Sequence, residues 1–214
     1  MYNGMTGEER SAKRRERLIE TAIELMGSRG AADTTVTAVC AESGVTSRYF
    51  YQQFADRDAL LRAVSERLGT TLYGVIIEAI PPTGSTPDSL TRGPIHALVK
   101  LIEHDRGLAR ILFVESGTEP ILRRLRGEIM AGLAGLILEQ TRLHLRISDA
   151  AVEATQLAAT LGVGGLFEVL RRWLDGEFRC STEAVVEHCA GMLSSLGDYV
   201  LRQDAVTQTG AAAE

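Results

Sequence analysis

From Leu18 to Val200 apolar residues recur at three- and four-residue intervals, and nowhere does the chain show the apolar/polar alternation of a half-buried strand. A chain patterned this way is confined to all-α architectures, in which each helix buries an apolar stripe against its neighbours. Leu18, Ile19, Ala22, Ile23 and Met26 define a first helix over roughly residues 11–28, stopped by Gly30. Thr35 suits the N-cap of a short second helix that turns Val36, Val39 and Cys40 inward and ends near Gly44. Thr46 can cap a third helix over 47–54. Asp56 caps a long fourth, in which Leu61, Val64, Leu68, Leu72 and Ile76 make one stripe as far as Pro81. The 81–87 stretch, with Gly84 and Ser85, reads as a loop. Further helices are predicted near 89–104, 107–116, 119–145, 149–175 and 182–202, with Ser148 and Ser181 as N-caps and Gly176 closing the eighth. The polar, Ala-rich tail from Gln203 is expected to be disordered.

The last two helices differ from the rest. Between Leu157 and Leu174 apolar residues point in nearly every direction, and Val185, Cys189, Met192, Leu196 and Val200 form a long seam on the ninth helix. Gly162, Gly164 and Gly165 each cost helix propensity, about 0.8–1 kcal/mol relative to Ala, so their clustering calls for a close helix approach or a neighbouring cavity.

Several classes of function are disfavoured. No charge-free run reaches the roughly 20 residues of a membrane span, and no apolar stretch follows the basic N-terminus as in a secretory signal, so a cytoplasmic protein without membrane attachment is expected. Cys40, Cys180 and Cys189 are an odd set without CxxC spacing, and His96, His104 and His188 complete no ligand set, so neither disulfides nor a metal or other cofactor is expected. The absence of GxSxG, GxGxxG and GxxxxGK[ST] argues against an enzyme.

The net charge of −5 would at first disfavour a nucleic-acid partner, but residues 1–67 hold ten Lys/Arg and ten Asp/Glu, so the whole excess of acid lies beyond them. Arg10, Lys13, Arg14, Arg15 and Arg17 stand against a single acid, Glu16, as suits a protein that touches DNA with one end. The following segment, Thr34 to Val64, reads as a helix-turn-helix: two short helices about a Gly-centred turn, Ser43-Gly44-Val45, with Val39, Val45, Phe50 and Phe54 as its small core. That leaves Ser47, Arg48, Tyr49 and Gln53 facing outward on the second of the two helices, the one that enters a major groove. Arg can bind guanine O6/N7 in two-pronged fashion, and Tyr can stack on methyl groups or donate to phosphate.

Gly30, Thr35, Val39, Gly44-Val45, Phe50-Tyr51, Phe54, Arg57 and Leu60-Leu61 together resemble the N-terminal signature of the TetR family of regulators, over about residues 10–68. The resemblance implies phosphate contacts from Thr35, Tyr51 and Arg57, and base or nearby backbone contacts from Ser47, Arg48 and Tyr49; Arg14 and Thr37 complete the expected DNA-binding set. Cys40 stands where the family commonly has Ala, Arg57 where Lys is usual, and the bulky Tyr49 where a small residue is usual, so no relative's operator preference transfers.

The expected organisation is a DNA-binding domain over 1–55, a helical ligand-binding and dimerisation domain over 56–203 joined to it through helix four, and a tail over 204–214. Beyond residue 68 the resemblance implies only helical architecture, dimerisation through the last two helices and a small-molecule effector. Candidate effector contacts are Tyr73, Ile77, Phe113, Met130, Leu133, Ile137 and Phe167; candidate dimer contacts are Leu166, Leu170, Trp173, Val185, Cys189, Met192 and Leu196. The function expected is a homodimeric, effector-released repressor on a palindromic duplex operator. The rival is a helical ligand-binding or interaction protein without specific DNA binding.

Overall fold

The computed structural model describes residues 6–82, 86–145 and 147–211. These form nine α-helices and no strand: α1 Gly7–Arg29, α2 Val36–Ser43, α3 Ser47–Gln53, α4 Arg57–Glu78, α5 Pro87–His104, α6 Arg106–Phe113, α7 Pro120–Leu145, α8 Val152–Leu174 and α9 Thr182–Ala211. Single 3-10 turns, Glu115–Gly117 and Asp149–Ala151, precede α7 and α8.

Local chemistry explains most boundaries. α1 starts ahead of the predicted residue 11 because Thr6 and Glu9 form a reciprocal capping box, the Thr6 hydroxyl accepting from Glu9 N and the Glu9 carboxylate from Thr6 N. Thr35 caps α2 by accepting from Ala38 N, Asp56 caps α4 by accepting from Ala59 N, and Ser181 caps α9 by accepting from Ala184 N. Gly44 ends α2 in the left-handed region at φ 68°, the conformation its turn was expected to require. Thr46 occupies the N-cap position of α3 without a side-chain bond, and Ser148 makes none to its own turn either.

The Ser148 hydroxyl and N–H both donate to Asp204. This anchor, 56 residues away in sequence, explains why α9 does not stop near 202 but runs on to Ala211. Residues 212–214 of the expected tail lie outside the described residues. Hydrogen bonds from Ser148 hold the buried Asp204 carboxyl below the usual carboxylate range.

The chain divides into two compact units, and the division is not a single cut: the first comprises Met1–Thr71 with Asp105–Arg126, the second Leu72–His104 with Gly127–Glu214. In the first, α1 packs on α2, α3 and α6. Its core joins Leu18, Ala22 and Met26 of α1 with Val39, Phe50, Phe54, Leu60 and Leu61, and with Leu108, Ile111 and Leu112 of α6. α1 and α6 cross at Gly27 and Gly107, where a Cβ on Gly27 would lie 2.7 Å from the Gly107 Cα. The crossing thus requires a glycine at 27, whereas a Cβ on Gly107 would meet the Gly27 Cα at 3.5 Å, an ordinary contact.

In the second unit α9 packs against both α5 and α8. Gly162 of α8 supplies one such approach, since a Cβ there would meet Leu193 at 3.2 Å; Gly165, three residues on, has nothing within 4 Å. α8, with its preceding turn, is long and apolar enough by length and composition to cross a membrane. Its Ala159, Val163, Phe167 and Leu170 are buried among neighbouring helices, as in the core helix of a bundle.

A second glycine contact yields a test. The Tyr73 hydroxyl donates to the carbonyls of Glu128 and Ile129 on α7, and a Cβ on Gly132 would fall 1.9 Å from that oxygen. Gly132→Ala is expected to lower stability by about 1–3 kcal/mol through overpacking. Urea midpoints measure it. In a Tyr73→Ala background the same glycine substitution should instead stabilise by up to about 1 kcal/mol, the helix-propensity cost of the glycine; an undiminished cost there would refute the contact.

Candidate functional site

The expected DNA-reading residues fall on the first unit. Ser47, Arg48 and Tyr49 occupy the first turn of α3, all exposed, and Tyr51 is exposed one position past the buried Phe50. α3 is only seven residues long, so its attitude is set by packing. The Phe50 ring lies 5.6 Å from Phe54 and 5.3 Å, edge-on, from Tyr51. Thr37 is exposed, and Thr35, also exposed, has its hydroxyl engaged as the α2 cap.

Residues 10, 13, 14 and 17 are spaced to share one face of α1. Their side chains meet Gly44, Val45, Thr46 and Tyr49 around a recess of about 330 Å³. The Arg14 guanidinium carbon lies 4.4 Å over the Tyr49 ring, a cation–π contact that orients the phenol, while the Arg14 Nε–H is buried without a partner. Arg15, on the opposite face of α1, instead covers the Phe54 ring at 4.5 Å. Glu16, the one acid in this run, is paired with Arg67, whose hydrogen bond holds its carboxyl below the ordinary range. Four cations thus face a shared recess with their local acid turned elsewhere.

Arg57 is placed differently from the other candidates. Its guanidinium donates to the Thr34 and Ala31 carbonyls at 2.9 and 2.6 Å and to Glu119 at 3.1 Å. Beside it the buried Glu115 accepts from Ala31 N at 2.7 Å and from Arg110 Nε at 2.9 Å, and Arg110 also donates to the Ser28 carbonyl. The loop between α1 and α2 is therefore held by two arginine–glutamate pairs, one from α4 and the residue just before α7 and one from α6 and its following turn. Sequence reading missed Arg110, Glu115 and Glu119. No local pattern marks them, because the loop and the arginine they hold lie far away in the chain.

The second unit contains a partly open apolar cavity of about 110 Å³, bounded by the end of α4 and by α5, α7, α8 and α9. Of the seven candidate effector contacts, Leu133 and Ile137 line it. Tyr73 is bonded to the α7 backbone, Ile77 is 53% exposed, Met130 lies against Gly164, Phe167 is buried in the helix core, and Phe113 belongs to the first unit. Of the candidate dimer contacts, Leu166, Leu170, Val185 and Cys189 are buried within the chain itself, and Leu166 and Leu196 line the cavity. The Trp173 indole N–H donates to the Cys180 carbonyl across the turn before α9. Met192 is exposed, together with Leu157, Leu161, Tyr199 and Val206.

A Gly-turned pair of short helices with an exposed arginine on the second, inside an all-helical chain, is the arrangement of a helix-turn-helix. Residues 18–64 match the family of bacterial regulatory proteins, tetR family. The fold is similar to that of a TetR-like transcriptional regulator from Rhodococcus sp. RHA1, at 21% identity and a TM-score of 0.61 over 87% of this chain and 94% of that one. It is similar also to the transcriptional regulator FadR from Bacillus subtilis, solved in complex with stearoyl-CoA, at 20% identity and a TM-score of 0.65 over 84% and 97%. A third similar structure is the multidrug binding protein EbrR, solved with imidazole, at 22% identity and a TM-score of 0.62 over 84% and 94%. A search of curated protein sequences gave no significant match. The chain carries the N-terminal segment of the tetR family and has the fold of its transcriptional regulators.

Proposed function

We propose that the protein is a homodimeric repressor that binds a palindromic duplex operator through α3 of each copy and is released from it by a small molecule held in the cavity of the second unit. The observation that carries the DNA-binding part is the recess where Arg10, Lys13, Arg14 and Arg17 meet the turn before α3. Such a cluster binds backbone phosphate, and the phosphate contacts fix the register from which Ser47, Arg48 and Tyr49 reach base edges. Thr35, Thr37 and Tyr51 contact the flanking backbone. Arg57 supports the reading indirectly, by bracing the α1–α2 loop rather than by reaching a phosphate.

The dimer face is assigned to Leu157 and Leu161 of α8 and to Met192, Tyr199 and Val206 of α9. All are large, apolar and exposed, and they recur at near-helical intervals along each element. Gly165, with open space above it, allows a second backbone to come close. Repression follows from occupancy, since a dimer seated on a promoter excludes polymerase. α4 supplies the coupling: it starts at Arg57 in the unit that bears α3, and its Ile76 lines the cavity. A ligand that fits one tilt of α4 better than another shifts the spacing of the two recognition helices. Coupling of about 1–3 kcal/mol weakens DNA binding roughly 5- to 150-fold.

Selection of operator sequences from random duplex DNA with the purified protein tests the proposal. A palindrome with half-sites one helical turn apart, or a multiple of it, is the expected outcome; failure to enrich any sequence leaves the rival, a ligand-binding protein without specific DNA binding. On the selected operator, Lys13→Ala or Arg17→Ala should weaken all sequences alike and lower the slope of log K against log salt by about 0.9 each. An unchanged slope would remove the recess from the phosphate interface.

A further inference from the structure

The cavity of the second unit has a chemistry specific enough to name the class of molecule it takes. Among the described residues that line it, none is Asp, Glu, Lys, Arg or His. Burying an ionised group against such walls is prohibitively costly, because nothing there replaces its hydration or pairs its charge. The polar lining groups are three threonines and one glutamine. The hydroxyls of Thr141 and Thr155 donate to the Ile137 and Ala151 carbonyls of their own helices, and Thr91 donates to the Pro87 carbonyl. Their donors are spent. Gln140 differs: it is a half-buried lining residue whose carboxamide has no hydrogen-bond partner among the described residues. A part-buried amide with two donors and an acceptor to satisfy is a site for one neutral polar group.

The shape adds a second constraint. Lining residues run from Leu133 to Leu145 along α7 and from Thr155 to Leu166 along α8. At the helical rise those spans are about 16–18 Å. The lining is thus drawn out along α7 and α8, the shape that suits a single extended chain.

We infer that the cavity takes an elongated, uncharged amphiphile: a single apolar chain ending in one neutral hydrogen-bonding group, such as a hydroxyl, ester or amide, that pairs with the Gln140 carboxamide. This rests on the proposed effector role of the same cavity and narrows it to a ligand class, excluding carboxylate and ammonium ends.

Three probes of equal chain length decide it: 1-dodecanol, titrated below its solubility limit, and dodecanoate and dodecyltrimethylammonium, titrated below their micellar concentrations, into the full-length protein by calorimetry. Dodecanol is expected to bind at least tenfold more tightly than either ion. Gln140→Leu, which keeps the side-chain volume and removes the amide, should weaken dodecanol about tenfold and leave the two ions unchanged. Equal or tighter binding of dodecanoate, or an unaffected dodecanol affinity in the Gln140→Leu protein, would overturn the inference while leaving an effector site in place. Ala159→Trp, which fills the cavity, should abolish dodecanol binding with the helical circular-dichroism spectrum retained; if Ala159→Trp unfolds the chain, Leu133→Phe takes its place. Dodecanol binding that leaves operator affinity unchanged would instead sink the proposed regulatory role and leave the ligand class standing. Binding of none of the three overturns the inferred ligand class.

Discussion

Met192→Glu is expected to convert the protein to a folded monomer and to reduce operator affinity by two orders of magnitude or more. Met192 is 66% exposed and Leu161 70%, so neither contributes much to the core of its own chain, and a carboxylate at either position leaves the fold intact. In a two-fold interface the same patch meets its own copy, so one substitution places two like charges in one apolar contact. Desolvating them costs at least about 3 kcal/mol, roughly 150-fold in the dimer equilibrium. A lone helix-turn-helix binds weakly, so operator affinity falls with the dimer. The choice of residue matters. Val185 and Cys189, on the seam picked out from sequence, are only 3% and 7% exposed within the chain, and a charge there unfolds it without reporting on association. Sedimentation, circular dichroism and operator titration on Met192→Glu separate the cases. A stable dimer with wild-type operator affinity would move the interface off α8 and α9.

That contrast shows what the sequence makes legible. Apolar residues around most of α8 state that the helix is covered on many sides, but not which sides a single chain covers and which are left exposed. Leu157 and Leu166 look alike in the pattern, yet one is exposed and the other buried. The DNA-facing end is far more readable because its signals are short-range. A Thr cap, a left-handed Gly44 and an aromatic pair four residues apart determine the α2–α3 geometry within twenty residues. The cations of α1 likewise gather because their spacing repeats the helical turn. Arg57 is the counterexample at the same end. Its position at the start of α4 was readable, but its commitment to Glu119, 62 residues on, was not. The same long-range logic draws Asp105–Arg126 into the unit of the helix-turn-helix, through the α1–α6 glycine crossing and the Glu115 bond to Ala31.

Arg48→Ala is the second large expected effect, and it is the one that separates base reading from phosphate binding. Arg48 is exposed on the first turn of α3 and has no protein partner among the described residues, so its removal leaves stability and dimerisation unchanged. Any loss of affinity therefore belongs to the DNA contact. A two-pronged bond to guanine O6/N7 contributes about 1–3 kcal/mol, so affinity for the selected operator should fall roughly 5- to 150-fold per half-site, with preference relaxed at one base position in each. Arg48→Lys keeps the charge but loses the planar fork. It should retain the affinity for random duplex while losing the same base preference. Arg14→Ala provides the opposite control: it removes a cation from the recess and frees the Tyr49 ring, so affinity falls for every sequence and the salt slope flattens. Repeating the operator selection with Arg48→Ala and Arg48→Lys decides the assignment. An unaltered consensus from both would show that α3 reads its operator through Ser47 and Tyr49, or through DNA shape, and that Arg48 takes no part in discrimination.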